Sequence, residues 1–341
     1  MNVELIAFTE AGLWLAERAA SALAGDGDIA RLARGFGEEK TDFRAWTARG
    51  FEHADALVFV GAAGIAVRAV APHVQSKTGD PAVLVLDEGG RFVVPILSGH
   101  IGGGNRLARR VAAHLGAQPV LTTATDVRGV FAVDDWAVSQ ELSIANPACI
   151  KPVSARLLRG EMVHIKSDVP LHGAPPHGVA LTQADGYDIL ISHGASCRAG
   201  ALHLVPRCLA LGVGCRKGVS VETVEAVLAE FLARHDISPL ALCGVYSIAL
   251  KAREEALLRL CTRLKLPFET YSAQQLSALP GEFTASDFVR GATGVDNVCE
   301  RSAVLGSGGG ALVARKYAKD GVTMALAMRV VFYDLGGNLD G

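Results

Sequence analysis

Residues 98–105, with the sequence SGHIGGGN, combine an imidazole, a hydroxyl and an amide with four glycines. They connect a predicted strand over 91–97 to a predicted helix over 106–115. Backbone N–H groups at a helix start carry partial positive charge, and glycine lets an anion approach them. His100, with an ordinary pKa of about 6.5, suits a general base at neutral pH; the alternative is a histidine that only packs the loop. Because Ser98 lacks the G-x-S-x-G elbow, water is the predicted attacking species.

A second polar segment, TTATD at 122–126, places three hydroxyls and a carboxylate after a predicted strand over 119–122. Asp126 would orient His100 or position a water molecule, and it would equally serve as the N-cap of a turn. We therefore predict that His100 and Asp126 form a catalytic pair, with both alternatives left open.

Two further loops carry glycines at predicted strand ends: residues 61–64 after a buried strand over 56–60, and residues 212–218 after a strand over 208–213. Arg216 and Lys217 are expected to clamp a carboxylate, since arginine pairs with it through two hydrogen bonds. The alternative is that each glycine only makes a tight turn and that the charged neighbours are solvated surface. The residues predicted to contact an anionic small molecule are Gly61, Gly64, Arg68, Lys77, Asp80, Ser98, Gly99, Gly102, Gly103, Gly104, Asn105, Thr122, Thr123, Thr125, Gly212, Gly214, Cys215, Arg216 and Lys217.

The elements that carry these loops alternate between strand and helix in the first third of the chain. This order predicts an α/β fold with an N-terminal doubly wound, mostly parallel sheet, which binds ligands at the carboxyl ends of its strands. A hairpin is expected through residues 88–90. We divide the chain into an N-terminal domain over 1–134, a small middle α/β segment over 135–206, a separate C-terminal α/β domain over 207–330, and a polar tail over 331–341.

Composition excludes several classes of function. The formal net charge is −2 and aromatic residues make up 6% of the chain, which argues against nucleic-acid binding. We find no apolar run of about 18 residues that would span a membrane. Seven scattered cysteines without a CxxC pair predict a reducing compartment and no protein-borne metal. With Glu4 and Glu10 where a signal peptide would be positive, we expect a cytoplasmic protein. The GSGGGA run at 306–311 follows a helix-like segment and precedes a strand, so no nicotinamide cofactor is predicted.

Residues 60–126 closely resemble the cobalt-precorrin-5A hydrolases of anaerobic cobalamin synthesis. The segments LGVGCRKG (211–218), TGVDNVCERSAVL (293–305) and LVARKYAKDGVTMALAMR (312–329) resemble the C-terminal domain of that family. The resemblance implies a cobalt-containing tetrapyrrole substrate that bears a δ-lactone and many carboxylates. The enzyme would open the lactone with water and release acetaldehyde to give cobalt-precorrin-5B. Cobalt would arrive with the substrate, and no further cofactor is expected.

Within that reaction we expect His100 to activate the water, Asp126 to orient His100, and the N–H groups of residues 102–104 to stabilise the oxyanion. The alternative function is a non-catalytic tetrapyrrole carrier of the corrin pathway, which would release no acetaldehyde. Two further partners stay open: transient contact with the methyltransferases of that pathway, and a second copy of this chain in a homodimer.

Overall fold

The computed structural model describes residues 1–76 and 79–336, which form two compact units. One unit comprises residues 1–139 and 154–161, and the other comprises residues 140–153 and 162–336. Within the described residues, no helix combines the length and the apolar character needed to cross a membrane.

The first unit contains a six-stranded sheet and six helices. Its elements are β1 (Asn2–Ala7), α1 (Glu10–Gly25), β2 (Ile29–Arg34), α2 (Phe43–His53), β3 (Ala56–Val60), α3 (Ala63–Val70), β4 (Ala82–Leu86), β5 (Phe92–Leu97), α4 (Gly104–Leu115), β6 (Gln118–Pro119), α5 (Ala124–Arg128) and α6 (Val133–Ser139). A further helix, α7 (Ile150–Leu158), is divided between the two units.

Helices cover both faces of this sheet, whose strand order is β2-β1-β3-β4-β5-β6. Apolar side chains of α1 and α4 pack on one face, and Trp46 of α2 with Ala66 and Val70 of α3 packs on the other. Every residue of β3 and β4 is buried, as expected for strands covered on both sides. The predicted doubly wound, mostly parallel sheet is therefore confirmed.

The predicted hairpin is also present, and it reverses the direction of the sheet. Strand β5 runs antiparallel to β4, so that Leu97 pairs with Val83, and β6 then runs parallel to β5. Strand β3 is parallel to β4, so that Val60 pairs with Leu86. The loop after β3 and the loop after β5 therefore lie at opposite ends of β4, about 16 Å apart for five residues at about 3.3 Å each. The expectation that one ligand would use these two loops through a shared sheet edge is wrong.

The second unit contains two five-stranded sheets, with strand orders β10-β8-β11-β12-β7 and β15-β14-β13-β17-β16. Its elements are β7 (Ser143–Ile144), β8 (Val163–Ser167), β9 (Leu171–His172), β10 (Val179–Leu181), β11 (Ile189–Ile191), β12 (Leu202–Val205), β13 (Leu209–Cys215), α8 (Val221–Arg234), β14 (Leu242–Ile248), α9 (Glu255–Leu264), β15 (Phe268–Tyr271), α10 (Ala273–Ala278), α11 (Asp287–Thr293), α12 (Cys299–Gly306), β16 (Leu312–Lys319), β17 (Val322–Met328) and β18 (Tyr333–Asp334). The predicted fold class, with α/β structure in the middle and C-terminal parts, is confirmed; the domain boundaries themselves stay a prediction.

One local expectation in these regions is corrected. Residues 331–336 are not a polar tail: the buried Tyr333 belongs to β18, which pairs with β9. The rest of the predicted tail, residues 337–341, lies outside the described residues.

Candidate functional site

His100 lies between two carboxylates from different helices. Its Nδ1 is 3.2 Å from an oxygen of Asp134 in α6, and its Nε2 is 3.2 Å from an oxygen of Asp126 in α5. The hydroxyls of Thr123 and Thr125 are 3.2 and 3.3 Å from the same Nε2. The 98–105 and 122–126 loops therefore meet, which follows from the parallel pairing of β5 with β6.

The loop after β5 turns tightly, and glycine is required where it closes on itself. Ser98 adopts the left-handed conformation with φ 53°, and its hydroxyl donates to the carbonyl of Asp80. A Cβ at Gly102 would lie 2.4 Å from the Cβ of Ser98, and a Cβ at Gly99 would lie 2.7 Å from Oδ1 of Asn105. These glycines allow the close approach that carries His100 to its two partners.

Two of the three backbone N–H groups that were expected to form an oxyanion hole are already used within the loop. Gly103 N–H donates to the His100 carbonyl, Gly104 N–H to that of Ser98, and Asn105 N–H to that of Gly99. A donor already bound to a carbonyl is not aimed at a developing oxyanion. The glycines serve the turn at these positions, and the prediction that residues 102–104 stabilise the oxyanion is corrected for Gly103 and Gly104.

Asp126 is held firmly by its neighbours. Arg109 Nη2 donates to one of its oxygens at 2.5 Å, and the buried Asn105 donates to the other at 2.8 Å. Thr123, which is the N-cap residue of α5, also donates its hydroxyl to Asp126. Burial disfavours the ionised form, but hydrogen bonds from His100 and Thr123 and the charge of Arg109 outweigh burial and lower the pKa of Asp126 to about 2. Asp126 is therefore a fixed carboxylate in the first turn of α5, and the N-cap itself is Thr123.

The two carboxylates also decide the charge of His100. Hydrogen bonds to Asp126 and then to Asp134 raise its pKa from 6.5 to about 10, although burial acts in the opposite direction. An imidazole with this pKa is protonated at neutral pH, and an imidazolium cannot accept a proton. The predicted role of His100 as the general base does not fit this arrangement, and a proton donor fits it instead.

Three charged residues of this site were missed by sequence reasoning: Arg109, Asp134 and Asp135. Both aspartates are buried in the first turn of α6, and Arg109 Nη1 lies 3.7 Å from Asp135. Burial raises the pKa of Asp135. Two adjacent carboxylates inside the apolar stretch VFAVDDWAV (130–138) were an available signal, because buried carboxylates are costly and need partners.

The loop over 61–64 does not join this site. Gly61 lines an open cavity of about 440 Å³, and Gly64 and Arg68 are exposed nearby. Asp87 is the charged side chain among the lining residues, which does not favour an anion. The lining residues are Gly61, Ala62, Ala63, Val85, Asp87, Phe92, Val94 and Val120.

Three other predicted contacts have distinct positions. Asp80 lies beside the loop after β5, where its carboxylate accepts the N–H groups of Gln75 and Ser76. Thr122 is exposed. Lys77 lies outside the described residues.

The predicted glycine loop over 212–218 begins as a strand. Gly212 and Gly214 belong to β13, and a Cβ at Gly212 would lie 1.8 Å from the carbonyl oxygen of Cys299 in α12. Gly212 therefore permits a helix to pack on the strand, and it is not available to a ligand.

The second half of that segment is a loop and already holds a carboxylate. Gly218 N–H donates to Glu254 at 3.0 Å, and Glu254 also pairs with Lys251. Arg216 and Lys217 are exposed. The half-buried Cys215 thiol has its pKa raised by burial, so it is not an activated nucleophile. No group of three or more His, Cys, Asp or Glu side chains in residues 1–76 and 79–336 is arranged to hold a metal ion.

Comparison with known proteins places these sites in a family. A family model described as Cobalamin synthesis G N-terminal matches residues 45–126, which include His100 and Asp126. A second family model, described as Cobalamin synthesis G C-terminus, matches residues 209–327. A Salmonella typhimurium protein named cobalt-precorrin-5A hydrolase is 33% identical and covers 96% of this chain and 97% of its own length.

The chain is also similar to two other proteins. A Priestia megaterium protein, also named cobalt-precorrin-5A hydrolase, is 32% identical and covers 82% of this chain and 79% of its own length. Protein CobE from Sinorhizobium sp is 32% identical over 35% of this chain and 79% of its own length. With both family models matched and one-third of its residues shared along nearly its whole length, this chain belongs to the cobalt-precorrin-5A hydrolase family of cobalamin biosynthesis.

Proposed function

We propose that this protein adds water to the δ-lactone of cobalt-precorrin-5A and releases acetaldehyde, giving cobalt-precorrin-5B. The family relationship supports the reaction. The single structural observation that supports a chemical role is His100, held as an imidazolium between Asp126 and Asp134.

His100 would act first as an acid and then as a base. Water adds to the lactone carbonyl and the ring C–O bond breaks; the freed oxygen takes the proton on Nε2, and both protons of the water leave to solvent as the carboxylate forms. Neutral His100 then takes back the hydroxyl proton while the adjacent carbon–carbon bond breaks. The bonding electron pair stays on the macrocycle, and the two-carbon fragment leaves as acetaldehyde. One residue thus serves both steps without a net change in its protonation.

The test is acetaldehyde release from cobalt-precorrin-5A by the purified full-length protein. We expect one acetaldehyde per substrate opened, with no added nicotinamide or metal ion. Binding of the substrate without acetaldehyde would support the tetrapyrrole carrier instead. A requirement for added zinc or NAD would contradict the proposal that cobalt enters with the substrate and that no other cofactor is needed.

The remaining partners belong to the same proposal. The substrate's acetate and propionate groups would contact exposed cations, and Arg216 and Lys217 are the candidates in the second unit. We further propose a cytoplasmic protein that contacts neither nucleic acid nor membrane. Transient contact with corrin-pathway methyltransferases and self-association would be tested by co-sedimentation of the purified proteins.

Arg216→Ala should weaken substrate binding without slowing the chemistry. The side chain is exposed, so the loss should lie near the lower end of the range for hydrogen bonds to charged groups, about 1.5 kcal/mol or tenfold in Kd. Absorbance titration of the corrinoid measures binding, and single-turnover acetaldehyde release at saturating substrate measures the chemistry. Arg234→Ala, which removes an arginine from the last turn of α8, is the control. Unchanged binding by Arg216→Ala would remove this residue from the site.

A further inference from the structure

We propose that Asp134 is the positioning residue of His100: it fixes the Nδ1 side of the ring, so that Nε2 is the nitrogen that exchanges a proton with the substrate. This inference rests on the proposed function, since it assigns the partner of the acid in that reaction. Asp134 was not among the residues predicted from the sequence, and Asp126 was expected to orient the ring.

The contacts of the two carboxylates differ in kind. Asp126 receives hydrogen bonds from Arg109, Asn105 and Thr123 in addition to its contact with His100. Asp134 is 7% exposed, and its hydrogen bond to His100 joins α6 directly to the loop after β5. Asp126 is thus part of a network that exists without the imidazole, whereas the contact of Asp134 is directed at the ring itself.

The two ring nitrogens are also engaged differently. Nδ1 contacts one carboxylate oxygen, at 3.2 Å. Nε2 lies between the oxygens of Asp126, Thr123 and Thr125, at 3.2–3.3 Å. The N–H at Nδ1 therefore has one acceptor, whereas the single N–H at Nε2 is shared among three. A substrate oxygen that replaces acceptors at Nε2 leaves the contact at Nδ1 intact.

The charged groups around the ring come from three helices. Asp126 lies on α5, Asp134 and Asp135 lie on α6, and Arg106 and Arg109 lie on α4. Asp134 is thus one of two carboxylates that contact the ring, and its removal leaves Asp126 to balance the imidazolium. The alternative is a purely structural role, in which the contact of Asp134 with His100 only attaches the loop after β5 to α6.

Two substitutions separate charge from geometry. Asp134→Asn keeps an oxygen that accepts the Nδ1 proton but removes the negative charge, and Asp134→Ala removes both. The first measurement is the titration of His100 by NMR with nitrogen-15-labelled histidine, in the full-length protein without substrate. We expect the His100 midpoint to fall by roughly 1–3 pH units in Asp134→Asn, the range for loss of one nearby opposite charge. Asp26→Asn is the matched control, because Asp26 contacts His114 and Arg110 on the same helix but not His100.

The second measurement is acetaldehyde release as a function of pH at saturating substrate. In Asp134→Asn the alkaline fall in kcat should move to lower pH, in the same direction as the NMR midpoint. In Asp134→Ala, kcat should fall at least tenfold at neutral pH with KM within twofold. If Asp134 only attaches the loop after β5 to α6, Asp134→Ala would lower thermal stability but leave kcat and the pH profile unchanged. That result would overturn the proposal. So would an unshifted His100 midpoint in Asp134→Asn.

Failure of the proposed function is a separate result. If the wild-type protein releases no acetaldehyde, the reaction is wrong. The NMR measurement then still decides whether Asp134 holds the Nδ1 side of His100, since it needs no substrate.

Discussion

Replacing His100 with alanine should lower the rate of acetaldehyde release from bound substrate by about 10²–10⁴-fold, the usual contribution of an acid–base residue. The reason is positional: in the proposed mechanism this ring supplies the proton for lactone opening and removes it for carbon–carbon cleavage. Substrate binding should change little, because His100 makes its contacts with Asp126, Asp134 and two threonines inside the protein. Single-turnover release at saturating substrate measures the effect.

The pH dependence of the wild-type protein decides between a proton donor and a base. With a His100 pKa of about 10, a donor gives a rate that is flat near neutrality and falls as pH rises through about 10. A base with the same pKa would give a rate that rises with pH over that range. The stabilisation that the imidazolium gains from its carboxylates follows the same sign: it is complete below the unfolded pKa of about 6.5 and is lost as pH rises through about 10.

The control for this substitution is His114→Ala, which removes another histidine of the same unit that contacts an aspartate, Asp26. We expect wild-type acetaldehyde release from it. If His100→Ala releases acetaldehyde at the wild-type rate once substrate is bound, the proton donor lies elsewhere. Loss of binding and thermal stability together, with the rate of bound substrate kept, would make His100 a structural residue of the loop.

The second large effect concerns folding of the second unit: Glu300→Ala should destabilise it by about 3–5 kcal/mol. Glu300, in α12, is fully buried, and its carboxyl group accepts four hydrogen bonds. Two come from the N–H and hydroxyl of Thr284, at 2.7 and 2.8 Å, one from Asn297 at 3.0 Å and one from the backbone N–H of Lys316 at 2.8 Å. Alanine would leave these donors without their acceptor and would open a cavity.

Urea unfolding measures this loss of stability. The distribution of aromatic residues allows the unfolding of each unit to be followed by a separate spectroscopic signal. All five tyrosines lie in the second unit, and all three tryptophans lie in the first. Tyrosine absorbance should therefore report the early transition of Glu300→Ala, while tryptophan fluorescence should follow the wild-type curve. Glu300→Gln should also be destabilising, because its amide N–H group would face N–H donors. Glu255→Gln, at an exposed pair with Arg259, should cost less than about 1 kcal/mol. A wild-type tyrosine transition in Glu300→Ala would show that the four hydrogen bonds contribute little.

Much of the fold was predictable because its signals are local. The apolar run that became β3 and the hairpin at residues 88–90 each depend on neighbouring residues. The meeting of the 98–105 and 122–126 loops also followed from strand order. The family and its activity came from long motifs rather than from any one residue.

What the sequence did not reveal depends on contacts between distant residues. Nothing near His100 indicates that Asp134, 34 positions away, would contact its Nδ1, so the charge of the ring was wrongly inferred from its ordinary pKa. Gly212 was interpreted as part of a ligand loop because its real neighbour, the backbone of Cys299, is far along the chain. The reversal at β5, which separates two glycine loops, depends on how a hairpin joins a parallel sheet.

The pairing of β13 with β17 has a consequence for how the chain is made. Seven residues of each strand pair without a register shift, from Leu209 opposite Met328 to Cys215 opposite Val322. The paired residues are far apart in the sequence: Gly214 and Thr323 are separated by 109 positions. During translation β13 emerges long before β17. The backbone groups along one edge of this apolar strand therefore stay unpaired while the ribosome completes the rest of the unit. Open apolar edges of this kind invite pairing with other chains, and closing so long a loop is slow. Newly synthesised chains of this protein are therefore expected to depend on chaperones that hold the β13 edge until Val322–Met328 has left the ribosome.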